Sequence, residues 1–253
     1  MKNKTSVVIP APEKTGIKVL AFDQGGIYIG VNYDATIQAF ERLEAVNAAS
    51  LYTQADQSRM VDDFECGKVS ASVFYGYLRR NLAGIRTDVK DVDLFQAWNA
   101  MLTGVIPGIL EFIQMLRSAG YITVVVSNAD EIHQAGVVEQ LEEAGVMHLF
   151  AKDSFDERYI SHIFGYNKPY REMFERVTTD LQKKFPTQKI ERNQILFIDD
   201  SEKHLVGRNE REGAQRVGWD TLYVASNLPV HEFQEKMLAK LASLAKTFRP
   251  KWN

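Results

Sequence analysis

The sequence predicts an α/β protein: a Rossmann-like, doubly wound parallel sheet carrying an inserted α-helical cap domain. Three observations lead there. Short apolar, β-branched runs recur at IKVLAF (17–22), YITVVV (121–126) and QILFI (194–198), with a weaker one at TLYVA (221–225). Runs that are apolar on successive residues, and too short for buried helices, mark strands covered on both faces. Amphipathic helical patterns separate the later runs, which is the alternation of βαβ units. Between the first and second runs, residues 31–103 carry helical periods and no good strand candidate, so a helical insert of domain-like size follows the first strand.

Taken in chain order, residues 1–15 read as a flexible N-terminal tail, with Pro10 and Pro12 interrupting its short apolar run. The core domain is expected over 16–30 and 104–253, and the cap over 31–103. Within the cap, ATIQAFERLEAVNAASLY, SASVFYGYLRRNLAG and VDLFQAWNAML have helical spacing, and Trp98 with Asn99 is expected to anchor the cap at its hinge. In the core, Ile109, Phe112, Ile113 and Leu116 share one helical face that ends at Gly120, and EIHQAGVVEQLEEAG ends in the same way on Gly145. Met173, Phe174, Val177 and Leu181 repeat the pattern after Pro169, a residue that marks a helix start. The last stretch spaces Val230, Phe233, Met237, Leu241 and Leu244 as an amphipathic helix, read as packing on the core, with docking to a partner or membrane as the lesser alternative.

The 253 residues are 45% hydrophobic and 25% charged with a net charge of −3, an ordinary globular composition without the basic excess of a nucleic-acid binder. A single cysteine, Cys66, excludes an intramolecular disulfide framework and has no cationic neighbour before Lys68, so it reads as structural. The N-terminal stretch does not read as a signal peptide, and the longest apolar runs are strand-sized, so a cytoplasmic location without membrane partners is expected. The oligomeric state is open at this level.

The chemistry gathers at strand ends. Asp23 follows VLAF, Ser127 and Asn128 follow TVVV, and Asp199 and Asp200 follow LFI. In a parallel sheet these ends share one edge, the edge at which open α/β folds bind ligands. Any one of these residues alone reads better as the N-cap of the next helix. Three carboxylates drawn together repel, and a cation between them removes the penalty; oxygen-only ligands suit Mg²⁺, which also accepts phosphate oxygens. Lys168, poorly placed at a helix start, is better placed reaching an anion or Asp23.

The ordered set VLAFDQGG, VVVSNAD, GYNKPYREMF and LFIDDSEKH resembles motifs one to four of the haloacid dehalogenase (HAD) superfamily, over most of the chain after residue 16. The helical insert resembles its C1-type cap. FECGKVSASVFYGYL and AWNAML resemble cap segments of its phosphatase branch, in particular sugar-phosphate phosphatases similar to α-D-glucose-1-phosphate phosphatase. The resemblance implies hydrolysis of a small phosphorylated metabolite through an aspartyl-phosphate. Asp23 would be the nucleophile, with Mg²⁺ on Asp23, the Gly25 carbonyl and Asp200, and Asp199 binding directly or through water. Ser127, Asn128, Lys168 and the backbone of Gly25 and Gly26 would hold the phosphate, and Lys168 would also bridge to the nucleophile.

Gly25 stands where most phosphatases of this superfamily have a second Asp, which protonates the leaving oxygen, a role worth about 10²–10⁴ in rate. His133, Tyr28 and Tyr33 are candidates to replace it by sequence proximity alone. Two alternatives stay open: a HAD-fold binding protein with weak or no turnover, and a 2-haloacid dehalogenase-type hydrolase, a branch that also lacks the second Asp. Gln24, in place of the usual apolar residue, and His204, where Asn is common, are smaller departures.

Overall fold

The computed structural model describes residues 8–51 and 59–247. In chain order the elements are α1 (Pro12–Thr15), β1 (Val19–Phe22), β2 (Ile29–Val31), α2 (Tyr33–Arg42), α3 (Ala48–Leu51), α4 (Arg59–Glu65), α5 (Ala71–Asn81), α6 (Asp91–Asn99) and β3 (Leu102–Val105). There follow α7 (Ile109–Ser118), β4 (Ile122–Ser127), α8 (Glu131–Glu143), β5 (Glu157–Ile160), α9 (Ser161–Phe164), α10 (Arg171–Lys184), β6 (Ile195–Asp199), α11 (Glu202–Leu205), β7 (Asp220–Tyr223) and α12 (Val230–Thr247).

Five strands pair in the order β5-β4-β1-β6-β7, all parallel, with Val19 in register with both Ile122 and Ile195. The period of two along β1 sends Leu20 and Phe22 to one face, where α7 and α12 pack through Ile113, Leu116, Phe233 and Met237. Val19 and Ala21 go to the other face, against Met173, Phe174 and Val177 of α10 and Trp219. Both faces are therefore covered, which is why the strands read as continuous apolar runs. β5 was not expected: ERYI places Glu157 and Arg158 half-exposed in an edge strand, so no apolar run announces it.

The insert leaves and rejoins the sheet through β2 and β3, a two-stranded antiparallel ribbon. Its helices share a separate apolar cluster that includes Phe40, Phe64, Phe74, Leu78, Leu94 and Trp98. The helical run expected over 35–52 is divided, because the chain turns at Leu43 and Glu44 takes a left-handed φ of 70°; residue 52 lies outside the described residues. The expected tail needs correction where it is described. Pro12–Thr15 form a helical turn, and the Tyr121 hydroxyl donates to the Pro10 carbonyl at 2.7 Å, so this segment is docked on the core. Residues 1–7 lie outside the described residues. α12 buries Phe233, Met237 and Leu241, the packing role expected of it. Among the described residues no helix is long and apolar enough to cross a membrane.

Candidate active site

All five parallel strands deliver their C-terminal ends to one edge, and a cavity of about 330 Å³ opens there beneath the cap. Asp23, Gly25, Ser127, Asn128, Lys168 and Asp200 all line it. Asp23 directly follows β1 and Ser127 ends β4, so sheet register alone brings these two together.

Lys168 is fully enclosed. Its Nζ lies 2.8 Å from Asp23 Oδ2 and 2.7 Å from Asp199 Oδ2. Burial alone would depress its pKa, but Asp199 and Asp23 more than offset that, and the net shift is upward. The side chain is aimed by Asn128, whose amide accepts from the Lys168 N–H at 2.7 Å and donates to the Lys168 carbonyl at 2.8 Å. Helix α10 begins at Arg171, two residues beyond Pro169, so Lys168 lies in the loop before the helix rather than at its first turn.

Asp199 is fully buried beside Lys168. Its Oδ1 accepts from the Ser201 N–H at 2.8 Å and faces His204 Nδ1 at 3.0 Å, while its Oδ2 faces Lys168 and, at 3.1 Å, the same His204 nitrogen. Three donors, Ser201, His204 and Lys168, thus share a carboxylate that can accept about four hydrogen bonds. Burial opposes its ionisation, but His204 and Lys168 outweigh it and hold the carboxyl well below the usual range. Among the described residues, Asp23, Asp199 and His204 are the one group of three or more metal-ligating side chains whose ligand atoms lie within 4.8 Å of one another, and Asp199 and His204 are bonded to each other within it. His204 thus anchors Asp199, which accounts for a histidine at this position.

The other two carboxylates are less compensated. Burial pushes Asp23 up, with Lys168 opposing and Asp199 adding to the rise. Asp200 is pushed up to about 7, by burial first and then by Asp23 and Asp199. One lysine thus serves two carboxylates while a third stands nearby, the arrangement that a divalent cation relieves. Asp23, Asp200 and Gly25 are the oxygen-bearing groups of this cluster on the cavity wall.

Gly26 also differs from expectation. Its N–H donates to the Ile29 carbonyl at 2.8 Å, inside the turn, and is not turned to a phosphate. The residue is glycine for another reason: φ is 73°, and a β-carbon would lie 2.2 Å from Asp200 Oδ2. A β-carbon on Gly25 would meet Val31 Cγ1 at 3.2 Å, so β2 crowds the place of the missing second carboxylate.

Of the three replacements considered for it, Tyr28 is buried and donates to Gln24 Oε1 at 3.0 Å, away from the cavity; that bond is the use found for Gln24. His133 lines the cavity, but Nδ1 meets Asp130 Oδ2 at 2.9 Å and Nε2 meets the Trp98 carbonyl at 3.1 Å. Both partners are acceptors; burial would lower the His133 pKa, but Asp130 more than offsets it and the net shift is upward. Tyr33 lines the cavity from the cap, its hydroxyl pKa raised first by burial and then by Asp200. Trp98 anchors the cap as expected: its Nε1 donates to Asp130 Oδ2 at 2.9 Å, and Asn99 donates to the Ile132 carbonyl at 3.1 Å. Cys66 is buried and its thiol pushed up by burial, in keeping with a structural role.

Sequence reasoning missed the cap's contribution to the wall, Asp62 and Glu65 of α4. The only signal was their place in the cap segment next to FECGKVS.

The model of the haloacid dehalogenase-like hydrolase family matches residues 18–207. D-ribitol-5-phosphate phosphatase of Bacteroides thetaiotaomicron is 24% identical over 189 residues, 75% of this chain and 85% of that protein. Among solved structures, a HAD family enzyme from Bacteroides thetaiotaomicron, a substituted variant in complex with magnesium and inorganic phosphate, superposes with a TM-score of 0.71 at 24% identity, over 86% of this chain and 99% of that one. A HAD-like family hydrolase from Porphyromonas gingivalis superposes with a TM-score of 0.63 at 20% identity, over 87% and 98%. At such identities the likeness to the solved structures is one of fold.

Proposed function

The chain belongs to the family of haloacid dehalogenase-like hydrolases, and from that premise we propose that it is a magnesium-dependent phosphatase acting on a small phosphorylated metabolite, a sugar or polyol phosphate, through an aspartyl-phosphate. The observation that carries this reading is the juxtaposition of Asp23, Lys168 and Asp200 on one cavity at the strand ends. The phosphatase relative and the fold neighbour that holds magnesium and phosphate support it.

Asp23, the Gly25 carbonyl and Asp200 are the groups that would hold Mg²⁺. The bound ion supplies positive charge that offsets the repulsion between an anionic phosphate and the site carboxylates and stabilises charge on the transferring group. Asp23 attacks phosphorus: a bond forms from its carboxylate oxygen, and the bond to the leaving oxygen breaks. Lys168, shared between Asp23 and Asp199, orients the nucleophile and faces the phosphate. Ser127 and Asn128 contribute donors, and Asn128 holds Lys168 in line. Water then attacks phosphorus of the aspartyl-phosphate, releasing inorganic phosphate and restoring Asp23. With glycine at 25, leaving-group protonation falls to the cap, to water or to the leaving group's own acidity.

The test is turnover of a panel of sugar and polyol phosphates and p-nitrophenyl phosphate, with and without magnesium. Turnover that vanishes in chelator and in Asp23→Asn is expected. A ligand that raises the melting temperature with no turnover on any compound would instead mark a binding protein.

A further inference from the structure

The segment that follows β7 touches the site from behind, and the phosphoryl chemistry gives it no part. Asn227 lies just beyond β7 and takes a left-handed φ of 60°, a conformation that asparagine tolerates better than most residues. Its side-chain amide meets the backbone of Val31 twice: Oδ1 accepts from the Val31 N–H at 2.9 Å, and Nδ2 donates to the Val31 carbonyl at 2.8 Å. Two residues that exchange both bonds in this way form the hydrogen-bonded pair of an antiparallel ladder. Among the described residues β2 has β3 as its one strand neighbour, so the amide stands in for a strand residue on the other edge. The N–H of Asn227 donates to the Gly26 carbonyl at 2.8 Å.

These bonds close on Gly25 from two sides. On one side Val31 is held where its Cγ1 would stand 3.2 Å from a β-carbon at position 25. On the other, Gly26 is held through its carbonyl, and a β-carbon there would lie 2.2 Å from Asp200 Oδ2 and 2.6 Å from Ser226 Oγ. The turn that carries the Gly25 carbonyl, together with the Asp200 side chain, is therefore packed against residues 226 and 227. Gly25, Val31 and Asp200 line the cavity, whereas Asn227 stands behind its wall. A side chain that grips the backbone around a ligand group, without being a ligand itself, sets the direction of that group, and partners of this kind are worth about 10–100-fold in metal affinity.

We propose that Asn227 is a positioning residue for the magnesium site, its amide and N–H fixing the Val31 and Gly26 backbones so that the Gly25 carbonyl and Asp200 are held ready for one ion. This rests on the phosphatase reading above, which puts the ion on those groups. Magnesium is titrated by calorimetry into substrate-free wild type, Asn227→Gly and Asn47→Ala. Glycine keeps the left-handed backbone and the N–H to Gly26, and removes only the clamp on Val31. Asn47 makes the same pair of amide bonds inside the cap, to the Asn81 carbonyl and the Ala83 N–H, and lines no part of the cavity. The dissociation constant for magnesium is expected to rise about 10-fold or more in Asn227→Gly and to stay within about three-fold of wild type in Asn47→Ala. Turnover of p-nitrophenyl phosphate that Asn227→Gly loses at low magnesium is expected to return at saturating magnesium, which a misfolded site would not allow. Magnesium affinity in Asn227→Gly within about three-fold of wild type overturns the proposal, as does an equal loss in Asn47→Ala or turnover that magnesium does not restore. A wild type that binds no magnesium would instead overturn the phosphatase reading, and this proposal with it.

Discussion

At the residue scale, Lys168 departs furthest from what its residue type suggests. A lysine taken singly belongs on the surface, yet this one is enclosed between Asp23 and Asp199. Its sequence neighbours hinted at an anionic partner but not at complete burial, because the Asn128 clamp that aims it is 40 residues away. Lys168→Met leaves two adjacent carboxylates without their ammonium. Breaking a buried pair costs about 3–5 kcal/mol, so the melting temperature is expected to fall on the order of 10 °C, with turnover abolished. A variant that melts with the wild type would show that the pair contributes nothing. Gly26 offers a second check. Gly26→Ala is expected to displace Asp200 and raise the magnesium concentration needed for half-maximal turnover. Gly165→Ala has a similar φ of 81° but meets nothing within 4 Å, and should leave the magnesium dependence untouched. Equal behaviour of the two variants would remove the steric argument.

At the element scale, α6 of the cap and the start of α8 are joined by Trp98, Asp130 and His133, with the indole and imidazole rings stacked 5.1 Å apart. Burial would lower the His133 pKa, but Asp130 raises it above its usual 6.5; burial would raise Asp130, but His133 holds it below its usual 3.8. The histidine's contribution to stability is therefore complete below about 6.5 and is lost as pH rises through its folded value. The aspartate's is present above about 3.8 and is lost as pH falls through its depressed value. A melting temperature that declines as pH is raised above neutrality, with a flatter profile in His133→Gln, is the expected result; parallel profiles would assign the pH dependence elsewhere. The sequence announced α7, α10 and α12 through their apolar stripes, and α8 through the glycine at its end, Gly145. It did not announce α4, whose RMVDDFE is acidic on the cavity side, nor the half-exposed edge strand β5.

At the scale of the whole molecule, the parallel sheet was legible because burial on both faces leaves apolar runs, and the site was legible because those runs end in carboxylates. Asp23, Ser127, Asn128 and Asp200 meet at one cavity for that reason. What was not legible depends on side chains meeting across the fold. Asp199 is held by Lys168 and His204, Gly26 serves the turn, and Glu65 reaches the cavity only because the cap is seated on the core. The central claim is that Asp23 attacks phosphorus. A single turnover in water labelled with heavy oxygen tests it most directly, by mass analysis of the peptide containing Asp23 and of the released phosphate. Label in the phosphate and none in Asp23 is the predicted result; label in the Asp23 carboxylate would mean that water attacks the aspartyl carbon, as in ester hydrolysis after displacement at carbon, and would contradict the account.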